Sequence, residues 1–423
     1  MAKKLFIFED DKYAQFFPLT YSRPVYELLC GTTRIRDKIA SFFPEAKVIL
    51  LCRDYLEEVL RIRSGLRIND FEIGKQDQIL LVNGRILPSP DFASKVNFCE
   101  EEKIFLVGDE LVGWTGRGEV LKDQTDSFGV LCVMGAAGLP KSKGASSAVE
   151  VKMLNYLWDL VSQNGSEIEA DFERIRPGLD FRNMFRNCQV DDQALIYQVE
   201  KVHIGKGSQI DGQVVLDARG GPILIGDRVV VEPHTRIAGP CYVGDDCVLA
   251  GGKIRGGTSI GPVCRIGGEV EESVFLGHSN KHHEGFLGHS YIGEWVNLGA
   301  LTTNSDLKNN YGSVKVMVDH DLIDSGQTKV GAFIGDHAKT GIGTLLNTGV
   351  SIGFSSNLFG GGMIQLKHVP AFFWGSGEKQ EEYQLEKAIE TAALVMKRRN
   401  VELGAAEANL FKKICQLTER DRR

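Results

Sequence analysis

The sequence predicts a mostly parallel α/β domain over residues 1–190, an all-β helix of hexapeptide repeats over 195–372, and a helical tail over 377–423. Three observations carry this prediction. Apolar strand-like runs alternate with helically spaced segments near the N-terminus, aliphatic residues recur every six positions after residue 200, and the last stretch carries one apolar stripe at helical spacing.

Bulk properties set the frame. A chain of 423 residues suits two or three domains, and 43% hydrophobic with 25% charged residues is ordinary for a globular protein. The net charge of −7 gives no basic field for nucleic acid or an anionic membrane. The opening MAKKLFIFEDDK has too short an apolar run for a signal peptide, and no later run reaches the roughly 18 residues of a membrane span. A cytoplasmic protein without a membrane or nucleic-acid partner is the expectation. The nine cysteines are scattered and form no CxxC pair, which argues for reduced thiols without a disulfide framework or structural zinc.

In the first domain LFIFED (5–10), AKVILLC (46–52) and DQILLVNGR (77–85) read as buried strands, with helical spacing in 34–43 and 53–63 between them. Such alternation predicts a parallel sheet whose working edge lies at the strand C-termini, here Asp10, Asp11 and Asn83-Gly84-Arg85. LPKSKGASSA (139–148) reads as a loop and VKMLNYLWDLV (151–161) as a helix joining the domains, with Met153, Leu154, Leu157 and Leu160 on one face.

The repeat begins with Ile204, Ile210 and Leu216. It continues through Ile225, Val231, Ile237, Val243 and Leu249, shifts phase at Ile254, Ile260 and Ile266, and resumes at Phe286, Ile292 and Leu298. The last run is Ile334, Thr340, Leu346, Ile352, Leu358 and Ile364. Glycine commonly follows the aliphatic residue, which suggests a corner whose geometry glycine permits. A period of six is neither strand nor helix alone. Three strand-and-turn units would close one triangular coil around an aliphatic column, a register that an ordinary sandwich would not keep. Residues 270–285 and 303–329 depart from the period and are expected as ejected loops bearing function. Past Trp374-Gly375, the tail stripe Leu385, Ile389, Ala392 and Met396 should pack on the coil or on a neighbouring subunit, with Lys397-Arg398-Arg399 near the helix end.

At the edge of the first departure, four of the nine histidines crowd together as His278, His282, His283 and His289. They could be a metal set, although no carboxylate pattern of a zinc motif accompanies them, or solvated loop residues. Residues 200–370 resemble the acetyltransferase half of the GlmU-like bifunctional sugar-1-phosphate nucleotidyltransferase/acetyltransferase family, built on a left-handed β-helix. The resemblance lies in Ile254-Arg255-Gly256-Gly257, in His283 nine residues before Ile292-Gly293, in Val296 to Ala300, and in Asn304 and Lys308. It implies His283 as general base, Arg255 and Lys308 on acceptor phosphate, and Asn297 and Asn304 on the acceptor. It also implies acetyl-CoA along the coil edge near Ala300, Gly341 and Gly360, and a homotrimer with shared acyl sites. A histidine of pKa near 6.5 suits removal of a proton from an amine that must attack a thioester. Two positions depart from the family: Phe286 replaces its tyrosine, and Glu271 falls where a basic acceptor-binding residue is expected. Both point away from glucosamine 1-phosphate as the acceptor.

The first domain resembles sugar-1-phosphate nucleotidyltransferases, in a divergent GlmU-like branch. Pro18-Leu19-Thr20 with Arg23-Pro24 echoes one family segment, and Leu81-Val82-Asn83-Gly84-Arg85 stands where a strand ends in Gly-Asp. This implies Arg23 and Asn83 on a sugar phosphate or nucleotide, with Mg²⁺ supplied at the strand ends. FEDDKYAQF replaces the glycine-rich phosphate loop, and Arg85 replaces the metal-binding Asp. Three readings stay open: a two-site transferase, a sugar-nucleotide-binding regulatory protein, and a nucleotidyltransferase with a purely structural β-helix.

Overall fold

The computed structural model describes residues 2–122, 145–179, 184–376 and 380–422. It forms two compact units. One comprises Met1–Phe16, Ser22–Leu28 and Thr33–Asn155; the other Phe17–Tyr21, Leu29–Thr32 and Tyr156–Arg423.

The first unit is a seven-stranded α/β sheet. Its strands are β1 (Lys3–Phe8), β2 (Lys47–Leu51), β3 (Arg67–Ile68), β4 (Gln78–Asn83), β5 (Lys103–Val107), β6 (Glu110–Arg117) and β7 (Ala145–Ala148), in the order β7-β5-β6-β4-β1-β2-β3. β1 is central and parallel to β2 and β4, and its Leu5, Phe6, Ile7 and Phe8 are all buried. A strand covered on both faces must be apolar throughout, which explains the unbroken LFIF run. Helix α1 (Ile35–Ser41) falls inside the expected 34–43, and α2 (Glu57–Ser64) overlaps the expected 53–63 and runs one residue past it.

Two expectations near the linker change. The 139–148 stretch is not all loop: 145–148 is β7, paired parallel to β5, while 139–144 lie outside the described residues. Lys152–Met153 is extended and pairs antiparallel with Ile86–Leu87, so the helix begins later. It is α3, Leu157–Ile175, and Asp159 Oδ2 accepts from the Tyr156 N–H at 3.0 Å to satisfy its first turn. α3 belongs to the second unit, where Asn164 Nδ2 donates to Gly257 O and Ser259 Oγ, both at 2.9 Å.

The second unit is a three-faced parallel β-helix. One face runs from Val202–Ile204 to His368–Val369, a second from Gln189–Val190 to Phe373–Gly375, and a third from Leu195–Tyr197 to Gly362–Ile364. The aliphatic column lies at its centre as one continuous buried cluster. One member differs from expectation: Leu287, not Phe286, fills the column, because the strand Phe286–Gly288 sits one residue out of the assumed phase. Residues 270–285 are not ejected either; they carry the regular strands Val274–Gly277 and Asn280–Lys281. The excursion at 303–329 is real and folds into the hairpin Lys315–Val318 with Asp321–Asp324.

The glycines serve a different purpose from the one expected. Corners in the left-handed region are mostly not glycine, as at Asp246, Val263, His278, Trp295 and His337. The glycine after the aliphatic residue permits close approach between coils. A Cβ on Gly261 would lie 2.2 Å from Leu276 O, and one on Gly226 2.3 Å from Asp245 Oδ1.

The tail forms two helices, α4 (Leu385–Lys397) and α5 (Ala405–Leu417). Both pack on the β-helix: Phe411 meets His337 and Phe354 with ring centroids 4.9 and 4.7 Å apart, and Arg399 Nη2 donates to Asn280 Oδ1 at 2.9 Å.

Candidate active site

Parallel register assembles a ladder that no linear motif displays. Arg265, Asn280, Asn297 and Lys339 are aligned partners on successive coils of the second face. Inward neighbours such as Leu298 fill the column, so these four point outward. Beside the ladder lies a cleft of about 470 Å³ whose lining includes His282, His283, Asn297, Ala300, Arg398 and Arg399. Thus His283, Asn297 and Ala300 come together, and the α4 end contributes two arginines that sequence reasoning had assigned only to a helix terminus.

The corner carrying His283 is anchored from inside. Lys281 is 2% exposed, and its ammonium donates to Gly267 O at 3.1 Å and to the His283 carbonyl at 2.8 Å. Burial pushes the Lys281 amine down to about 8, with the charge of Glu284 opposing the fall. His283 itself is exposed, with the His282 ring edge-on at 5.0 Å. Its imidazole can therefore reach a bound amine while its backbone is held. Lys281 was missed because the period with Phe286 in the column makes Asn280, six residues earlier, the inward position; only the observed phase, with Leu287 inside, turns Lys281 inward.

The other expected residues fall elsewhere. Arg255 lies on the third face, hydrogen-bonded to Glu269 and 3.6 Å from Glu271, so its charge is already balanced. Asn304 is 2% exposed; its Oδ1 accepts from Gly288 N at 2.8 Å and its Nδ2 donates to Gly288 O at 2.9 Å. That amide stitches two coils together and has no face for an acceptor. Lys308 donates to Ser313 O within the excursion. Gly341 is stacked one coil beyond Gly299 beside the lining residue Ile342, and Gly360 lies a further coil away.

The four clustered histidines do not converge, and among the described residues no group of three or more His, Cys, Asp or Glu could hold a metal ion. His278 stacks on Trp295 at 4.2 Å. His289 is buried between carboxylates, with Nδ1 2.7 Å from Asp306 Oδ2 and Nε2 3.4 Å from Glu272 Oε2. Burial alone would lower its pKa, but the hydrogen bonds to Asp306 and Glu272 outweigh it and raise the value to about 9. The folded pKa therefore exceeds the unfolded value near 6.5, so the contribution is complete below pH 6.5 and lost as pH rises through 9. The difference in unfolding free energy between wild type and His289→Gln should be on the order of 2 kcal/mol at pH 6.5 and shrink toward pH 9. A pH-independent difference in chemical denaturation would contradict the charged pairing.

At the strand ends of the first unit, Asp10, Asn83 and Arg85 are already engaged with one another, while Asp11 is exposed. Asp10 is 5% exposed, and its carboxylate accepts from Arg85 Nε at 2.8–2.9 Å, Arg85 Nη2 at 2.7 Å and Asn83 Nδ2 at 2.9 Å. Arg85 Nη2 also donates to Glu110 at 2.6 Å, and Nη1 to Leu154 O at 2.7 Å. Asn83 completes its set with Leu111 O and Arg85 N, each at 2.9 Å. Alongside, Glu9 takes two hydrogen bonds from Arg53 at 2.9 and 3.1 Å. Arg23 is buried rather than presented at an open edge.

These residues do not fit the Mg²⁺ that the family resemblance implies. A guanidinium already fills the space between Asp10 and Glu110 that a cation would need, so the exposed Asp11 has neither of those carboxylates to share a cation with. Binding of a sugar nucleotide by the intact protein should therefore be the same in EDTA as in excess magnesium, measured by calorimetry. A magnesium-dependent dissociation constant would show that Arg85 gives way to the metal.

Residues 5–179 match the family described as sugar nucleotidyl transferase. A bifunctional sugar-1-phosphate nucleotidylyltransferase/acetyltransferase of Sulfurisphaera tokodaii is 41% identical over 96 residues, 23% of this chain and 24% of that protein. The bifunctional protein GlmU of Prochlorococcus marinus is 27% identical over 274 residues, covering 55% and 54%. That of Acidithiobacillus ferrooxidans is 31% identical over 175 residues, covering 40% and 36%. The alignments span about a quarter to about half of the relatives' lengths. Over residues 5–179 the chain is thus similar to sugar nucleotidyl transferases, and parts of it are similar to bifunctional transferases at modest identity.

Proposed function

We propose that the β-helix transfers an acyl group from acetyl-CoA, or a related coenzyme A thioester, to the amine of an amino-sugar phosphate. The observation that carries the reading is the cleft gathering His283, Asn297 and Ala300. His283 takes a proton from the acceptor amine as its nitrogen attacks the thioester carbon. The C–S bond then breaks, and the thiolate leaves as the new amide forms. Lys281 holds the backbone of the base, and Asn297 offers an amide to orient the acceptor. Arg255 faces Glu269 and Glu271, and Glu271 also faces Lys329, in keeping with an acceptor other than glucosamine 1-phosphate.

In this proposal the first unit recognises a sugar nucleotide, of the UDP-N-acetylglucosamine kind, and the protein acts as a cytoplasmic homotrimer. A second reading for that unit, binding without nucleotidyl transfer, is favoured by the Asp10–Arg85 pair in place of a metal site. The decisive assay measures free coenzyme A released from acetyl-CoA across a panel of amino-sugar 1-phosphates and nucleotide-linked amino sugars. Acceptor-dependent release is expected. Folded protein that releases none with any acceptor would move the function to sugar-nucleotide binding.

A further inference from the structure

Three side chains in the second unit are joined end to end. Asn280 and Asn297 are aligned partners on successive coils, and Asn280 Nδ2 donates to Asn297 Oδ1 at 3.3 Å. Arg399 Nη2, from beyond the end of α4, donates to Asn280 Oδ1 at 2.9 Å. All three line both the cleft beside His283 and the adjoining compartment of about 210 Å³ bounded by Trp295 and Lys339.

This chain has a fixed polarity. A carboxamide carries one acceptor end and one donor end of nearly equal size, so by shape alone it can face either way. A guanidinium donates through every nitrogen and accepts through none. The end of Asn280 that meets Arg399 must therefore be its oxygen, which leaves its NH2 for Asn297. The end of Asn297 that meets this NH2 must in turn be oxygen. The Asn297 NH2 is what remains for the cleft, on a side chain that is exposed. Turning Asn280 over would set its NH2 against the guanidinium and forfeit the 2.9 Å bond.

Arg399 can impose this direction because its own backbone is pinned. Asn400 takes a left-handed φ of 58°, its N–H donates to Lys397 O at 3.0 Å, and Val401 N donates to Met396 O at 3.1 Å. These two bonds close the helix as a Schellman turn, with asparagine where glycine is commoner. Arg399 N also donates to Met396 O at 2.9 Å, and Met396 is buried in the apolar stripe of α4.

We propose that Arg399 is a positioning residue for acyl transfer: through Asn280 it holds the Asn297 N–H groups toward the cleft, so the acyl acceptor presents an oxygen there and keeps its amine for His283. A protonated amine has no lone pair to offer Asn297, and a neutral one needs its lone pair for the thioester carbon. The assignment rests on the acyl-transfer reading, but the polarity can be tested apart from it. N280D still accepts from Arg399 and offers Asn297 only acceptors, so the Asn297 NH2 must turn inward. Hydrogen exchange of that NH2, followed by NMR with asparagine side chains labelled in nitrogen, should be fast in wild type and at least about tenfold slower in N280D. Thermal melts check the fold, and N297D identifies the resonance. In the coenzyme A release assay, N280D should raise the acceptor KM at least about tenfold with little change in kcat, the mark of lost binding without lost chemistry. R399M should raise KM less, because nothing then selects either face, and R399K, again a donor only, should restore most of the loss. An Asn297 NH2 already protected in wild type, or unaffected by N280D, would overturn the polarity. The expected exchange with an unchanged KM in N280D would overturn the positioning role. Wild type that releases no coenzyme A with any acceptor would remove that role together with the acyl-transfer reading, while exchange still decides the polarity.

Discussion

Replacing Arg85 by methionine should destabilise the protein by about 3–5 kcal/mol, the cost of leaving a buried carboxylate without its partner. Asp10 would lose three hydrogen bonds at once and retain only Asn83 and a long 3.3 Å contact from Lys12 N. Leu154 O and Glu110 would lose donors in the same step. Methionine keeps much of the volume, so the loss would report the charge rather than a cavity. The companion D10N/R85M removes the orphaned charge and should recover more than half of the loss in a denaturant titration. A single R85M variant as stable as wild type would mean that Asp10 has another way to be neutralised, and the argument against a metal at that edge would weaken with it.

His283→Gln should lower kcat for acyl transfer by about 10²- to 10⁴-fold, the usual contribution of a positioned general base. The side chain is exposed, and its ring makes no hydrogen bond that the β-helix needs. The melting temperature should therefore stay unchanged. The readout that isolates proton transfer is the pH profile: under the proposed role, an acidic limb of kcat/KM seen in the wild type should vanish in the variant. A fall in rate with the limb intact would hand the base to another group, with His282 the nearest alternative at 5.0 Å between ring centroids. Lys281→Met offers a contrast, because it frees the backbone under His283 while leaving the imidazole in place. Its effect should be smaller and should leave the shape of the profile unchanged.

The sequence made the scaffold legible because its signals are local. A strand buried on both faces reads as LFIF, and a coil that turns every six residues repeats its inward aliphatic. The phase error at Phe286 shows the limit of that local signal, since both Phe286 and Leu287 are apolar and the period alone cannot choose between them. The glycines were visible, yet their cause was not: the clash of a Gly261 Cβ with Leu276 O exists only once the next coil is in place.

The site divides along the same line. His283, Asn297 and Ala300 were readable because they lie within one coil and its return, close in sequence and space. Arg255, Asn304, Asn83 and Asp10 carry suitable chemistry, but whether a charge or amide is free depends on partners far along the chain. Glu269, Gly288 and Arg85 engage them. Arg265, Lys339, Arg398 and Arg399 look like scattered surface charges until parallel register and the folding back of α4 put them in one groove. Sequence by itself determined the repeat, the two-part architecture and the histidine at its corner, because backbone periodicity and residue chemistry are properties of neighbours. Which cations remain without a counter-charge was decided only by tertiary structure, because electrostatic balance is a property of distance in space.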